Sequence, residues 1–236
     1  GKDLLENDDE NYSINLNSLQ LDSQIPLQYE SLTSIKDKES FLEKYLNSTN
    51  MFEKKFAIKN LERLVASIPK KEFGANAEIF NNAFLDKMFF ILMAPQQEKQ
   101  IVYTTSKIIM NLSYYSKQFS HQIIQNSAKI YELAEKEEDK MVKKQLLSIL
   151  GNEMSQGKEN YKKIIEFCPN LINYVISIIQ KINPQTNEMF QLLEILPVIF
   201  WIYSFMIEYL DNSSYLVTQA YSDIPKISLF LSTNIN

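Results

Sequence analysis

The chain has 236 residues, 45% hydrophobic and 22% charged, which excludes a wholly disordered or collagen-like polymer. A single cysteine, Cys168, excludes an intrachain disulfide framework and fits a reducing, intracellular compartment. The net charge of −5 argues against direct nucleic-acid binding, which needs a dense basic surface to displace counterions, and against adsorption to an anionic membrane.

With 4 glycines and 7 prolines the chain is poor in turn residues, so an architecture of many tight hairpins is disfavoured. Residues 1–33 are acidic and rich in Asn and Ser, and they read as a flexible N-terminal arm. Its spaced apolar residues (Ile14, Leu16, Leu19, Leu21, Ile25 and Leu27) allow it to lie along a surface. No basic segment followed by an apolar core and a small-residue cleavage site is present, so secretion is not expected.

From residue 34 to 236 the pattern becomes one helix after another. Phe41, Leu42, Tyr45 and Leu46 form a stripe at helical period, and Phe52, Phe56, Ile58, Leu61, Leu64 and Val65 form the next, after the breaker Asn47–Asn50. A nearly solid apolar run from Ala77 to Met93 stops at Ala94-Pro95, where proline removes a donor. Helical stripes recur over 98–116, 121–135, 141–155, 158–182, 188–210 and, more weakly, 215–232, and no segment shows a convincing period of two. Pro197 should kink or divide the 188–210 helix. Gly151 should permit close approach of a neighbouring helix at a cost of about 1 kcal/mol against alanine. Gly157 reads as a helix C-cap.

The helices repeat. Lys107-Ile-Ile-Met-Asn111 and Ser148-Ile-Leu-Gly-Asn152 are each followed by a short polar link and another amphipathic run. The two asparagines lie 41 positions apart, inside the period of about 40–47 residues of armadillo and HEAT units. A third copy fits Trp201-Ile-Tyr-Ser-Phe205, and a degenerate earlier one fits Phe56–Ser67. The fold expected is all-α, a stack of about four helical repeats.

The segment from Gln145 through Asn152 to Gly157, continued by Ile164–Leu171, resembles an armadillo unit of the importin-alpha family. That resemblance implies a right-handed armadillo-type α-solenoid, in which the third helix of each repeat carries a Trp-x-x-x-Asn pair facing a concave groove. Here Asn111 and Asn152 keep the amide, while Lys107 and Ser148 stand in the Trp position. Trp201 keeps the indole, with Phe205 in the Asn position. By this resemblance Asn111, Asn152, Trp201, Ser148 and Phe205 are the candidate partner-binding residues. Residues i and i+4 share a helix face; an Asn amide there can donate to and accept from a peptide backbone, while an indole gives a flat wall for a Lys or Arg stem. With no Trp beside Asn111 or Asn152, selectivity for basic residues should be weak, and Lys107 should repel a basic peptide. In an Asn-rich chain both asparagines more often serve as capping or inter-helix hydrogen bonders, and Trp201, inside an apolar run, more often packs as core.

Other chemistry finds little footing. His121 and Cys168 are the sole residues of their types, so neither a Cys/His metal site nor a catalytic relay can be written, and no glycine-rich phosphate loop occurs. The sequence therefore calls for no cofactor, no metal and no enzyme activity. The apolar stretch 195–207 lies between Glu194 and Glu208 and falls short of the roughly 20 residues a membrane span needs. The mixed-charge run from Glu132 to Lys144 reads as a solvated helix junction, and Lys158, Lys162 and Lys163 are too sparse for nucleic acid. The expectation is a non-enzymatic scaffold or adaptor, a structural subunit of a multiprotein complex in the cytoplasm or nucleus, that binds a partner segment on its concave face. The alternative is an importin-alpha-like transport adaptor for a basic localisation peptide.

Overall fold

The computed structural model describes residues 12–182, 188–209, 222–229 and 232, and the chain divides into two compact units, Gly1–Ser120 and His121–Asn236. Among the described residues every regular element is helical.

The first unit contains α1 (Gln24–Glu30), α2 (Ile35–Glu43), α3 (Met51–Ala66), α4 (Asn82–Leu92) and α5 (Lys99–Tyr115). Polar caps fix where α2, α3 and α4 start. The Ser34 hydroxyl accepts from Asp37 N at 3.0 Å, Asn50 Oδ1 from Phe52 N at 2.9 Å, and Asn81 Oδ1 from Phe84 N at 3.0 Å. The Asn81 cap explains why helix α4 begins at Asn82 although the apolar run begins at 77. Helix α3 packs against α2 and α5, and α4 against α5. Ile58, Leu61, Leu85, Met88, Ile108 and Leu112 are fully buried there, and Phe73, Phe80, Phe84 and Phe119 form an aromatic cluster with centroids 5.0–6.2 Å apart.

Residues 12–33 lie against this unit. Helix α1 buries Ile25, its Tyr29 ring meets Phe56 edge-on at 5.7 Å, and Ile14 is 3% exposed. Of the spaced apolar residues Ile14 and Ile25 are buried and Leu27 is 58% exposed, while the rings of Tyr12 and Tyr29 meet α5, α2 and α3.

The second unit contains α6 (Ser120–Gln125), α7 (Ser127–Lys136), α8 (Lys140–Met154), α9 (Lys158–Phe167), α10 (Leu171–Gln180), α11 (Glu188–Leu192) and α12 (Leu196–Tyr209), followed by a helical stretch at 222–229. Helix α8 is central and touches α7, α9 and α12, while α10 packs on α12. Asp139 caps α8 by accepting from Met141 N at 3.0 Å and Val142 N at 3.2 Å. Pro169 divides the expected 158–182 helix into α9 and α10, and the 188–210 stripe is divided into α11 and α12, with Pro197 in the first turn of α12, where its missing N–H costs nothing. Gly157 departs from its expected role: it stands at the N-cap of α9 with φ +139°, a value that L side chains rarely adopt, while Ser155 closes α8. The 222–229 stretch is tied to α12 by Tyr203, whose hydroxyl donates to the buried Asp223 carboxylate at 3.3 Å. The rest of the expected 215–232 helix lies outside the described residues.

The run from Glu132 to Lys144 also differs in part. Lys136 pairs with Glu132 at 2.7 Å in solvent, as a helix-surface pair does, but Lys143 is buried. Its ammonium reaches the Tyr174 hydroxyl at 3.0 Å, and burial lowers its pKa.

Candidate partner-binding face

Helices α5 and α8 hold the repeated segments, and burial repeats with them. Ile108, Ile109, Leu112 and Ser113 on α5 are buried, as are Ile149, Leu150, Glu153 and Met154 in the same register on α8. Between them Lys107 and Asn111 on α5, and Ser148 and Asn152 on α8, are half-buried. A helix that packs on both flanks leaves one such stripe at i and i+4. The expected pairs therefore sit on the face of each helix that its own unit leaves partly open.

The chemistry of the two stripes differs. On α5 the Lys107 ammonium lies 3.6 Å from the Glu62 carboxylate of α3 and 5.8 Å from the Tyr103 ring centre. Glu62 is also held by Lys59 at 2.9 Å. Lys107 is thus partly neutralised within the unit. On α8 the Ser148 hydroxyl donates to the Lys144 carbonyl at 2.7 Å, so its proton is committed to its own helix. The Asn152 carbonyl accepts from the Ser155 hydroxyl at 2.7 Å.

Trp201 and Phe205 extend the α8 face onto α12. Trp201 is half-buried, and its ring stands directly on Gly151. A Cβ at position 151 would lie 2.7 Å from Trp201 Cε3 and closer still to Cζ3. The glycine therefore gives an indole room beside Asn152, and it makes the close helix contact expected of it. Phe205 meets Trp201 edge-on at 5.5 Å and stacks on Tyr209 at 6.3 Å, and Tyr209 in turn meets Tyr161 at 5.4 Å. The core of α12 is made instead by Leu196, Val198, Ile199, Ile202, Tyr203 and Met206. Ser148, Asn152, Trp201 and Phe205 belong to one unit, with α8 packed on α12; Asn111 belongs to the other.

Sequence reasoning missed a cleft between α2 and α4. A cavity of about 530 Å³ is lined by Glu43, Leu46, Asn47, Asp86, Lys87, Phe90 and Ile91, with Phe90 74% exposed at its edge. A smaller hollow beside it reaches Glu39. Burial, then the neighbouring Glu43 carboxylate, raise the Glu39 pKa to about 7, against the opposing pull of Lys87, which pairs with Glu43. Cys168 is buried, and that burial pushes its thiol up to about 11. Among the described residues no group of three His, Cys, Asp or Glu side chains could hold a metal ion, and no helix is long and apolar enough to cross a membrane.

No protein-family model matches the sequence, and no curated protein matches it. Solved structures do match the fold. The chain is similar to a designed armadillo-repeat protein with a TM-score of 0.59 at 12% identity, covering 91% of this chain and 81% of that one. It is also similar to two crystal structures of engineered proteins, both at 13% identity. One has a TM-score of 0.59 and covers 93% of this chain and 88% of that one; the other has 0.56, covering 81% and 70%. At such identities the likeness establishes the fold alone. The protein is an all-α, armadillo-type solenoid.

Proposed function

We propose that the protein is a non-enzymatic scaffold that holds an extended segment of a partner protein along the half-buried stripes of its repeat helices, as a structural subunit of an intracellular complex in the cytoplasm or nucleus. One observation carries this reading: positions 107 and 111 on α5 and 148 and 152 on α8 stay partly open in the same register, while the residues around them are buried. Each unit thus has such a stripe on one of its helices, and a stripe along a helix suits a ligand that is itself extended. Trp201, standing on Gly151 one residue before Asn152 and meeting Phe205 edge-on, puts flat apolar contact beside this stripe. A photo-crosslinker in place of Ser148 should capture a peptide segment of one fixed partner from cell extract, and Asn152→Ala should reduce that yield. Equal labelling from a crosslinker at Lys162, exposed on α9, would contradict the reading.

A second reading is supported by Trp201 standing on Gly151 beside Asn152. An importin-alpha-like adaptor would use that indole against a basic side chain of a localisation peptide. Titration with a lysine-rich peptide separates the two. Binding that quenches Trp201 fluorescence and is lost in Trp201→Ala supports the adaptor; absence of binding leaves the scaffold.

A further inference from the structure

One turn back from Lys107 on α5 stands Tyr103, which is buried, and at that point the chain's own N-terminal segment lies on the helix. The Tyr12 ring is 6.2 Å from the Tyr103 ring, the Lys59 ammonium donates to the Ser13 hydroxyl at 3.0 Å, and Ile14 is 3% exposed. Two of these consecutive residues touch α5 and α3, Tyr12 through its ring and Ser13 through its hydroxyl, and the third, Ile14, is buried beside them. They show physically what this face accepts.

Its charge is uneven. Lys59 and Lys107 share one carboxylate, Glu62, and Arg63 is exposed on the same helix α3, while Lys55 is paired with Glu98. Two ammonium groups on a single buried carboxylate leave positive charge to be met by a ligand. The residues that precede Tyr12 in sequence supply the opposite sign: Asp3, Glu6, Asp8, Asp9 and Glu10 against Lys2 alone.

We infer that the α3–α5 face is a binding surface for an extended acidic segment with an aromatic–hydroxyl–aliphatic triplet, and that a partner's acidic segment exchanges there with residues 12–14. This deepens the scaffold reading by naming the chemistry of the ligand, and it opposes selection of a basic peptide on this unit. Its failure is distinguishable from that of the reading it rests on, because capture through Ser148 reports on the other unit.

The test uses the full chain and a fluorescent peptide with the sequence of residues 3–16, beside a control peptide in which the five acids are replaced by lysine. Tyr12→Ala with Ile14→Ala loosens the chain's own segment, and circular dichroism verifies that the helices remain. This double variant should bind the acidic peptide at least about tenfold more tightly than the unmodified chain, and adding Lys59→Gln and Lys107→Gln should reverse that gain by about tenfold, the size expected for charge-assisted hydrogen bonds. Binding should also weaken with added salt. In the unmodified chain, excess acidic peptide should speed amide hydrogen exchange over residues 12–21, a readout that depends on no substitution. No binding to a folded double variant, equal binding of the lysine peptide, equal affinity of variant and unmodified chain, or unchanged exchange would each overturn the inference.

Discussion

Helices α5 and α8 bury the same register of residues, yet the stripes they leave open carry different chemistry. On α5 the stripe is Lys107 and Asn111, tied by charge to α3, with the buried Tyr103 one turn back met by Tyr12. On α8 it is Lys144, Ser148 and Asn152, flanked by the indole of α12. Packing constrains which positions are apolar, because each helix must bury two flanks to hold its unit together. The outward positions are not so constrained and can diverge while the fold persists.

The largest expected effects test whether the registers are equivalent. Ile108→Ala on α5 and Ile149→Ala on α8 each empty a fully buried site, and each should cost about 3 kcal/mol. Urea denaturation measures both, and a near-zero cost at one of them would break the match.

Next is the one position where the two helices cannot be exchanged. Gly151 corresponds to Met110 on α5, and only Gly151 has a ring on its Cα. Gly151→Ala should destabilise by about 2 kcal/mol through overpacking. It should also shift the emission of Trp201, the sole tryptophan. Met110→Ala should leave that emission unchanged.

A smaller effect separates the units by pH. Glu39 ionises near 4.5 when unfolded but only near 7 in the first unit. Between those values the folded chain keeps a proton that the unfolded chain has released, so stability falls as pH rises through that window. The loss should be about 1–2 kcal/mol, because the neighbouring Glu43 and Lys87 are partly solvated. Stability measured from pH 4.5 to 8 should show this slope, and Glu39→Gln should flatten it.

Smallest is Asn111→Ala, which should change stability by no more than about 0.5 kcal/mol, since that side chain is half-buried. A loss near 2 kcal/mol would mark it as a structural hydrogen bonder.

Much of this was legible in the residues. The helical periods, the 41-residue spacing, the break in the 188–210 helix and the tight space at Gly151 follow from local rules, because burial at period 3.6 and the geometry of proline and glycine act over a few residues. The docking of Tyr12 and Ser13 and the burial of Lys143 depend on residues far away in sequence, Tyr103 and Lys59 for the one and Tyr174 for the other. The Asn81 cap was local but was hidden by the apolar residues Ile79 and Phe80 just before it. Trp201 lay inside so apolar a segment that composition favoured the core, whereas the structure leaves it half-buried with its ring on Gly151.

The most direct measurement of the central claim is photo-crosslinking from position 148, followed by mass spectrometry of the captured peptide. We predict one contiguous segment of a single partner, caught from Ser148 but not from Lys162. Equal capture at both positions, or a dispersed set of unrelated peptides, would contradict the account.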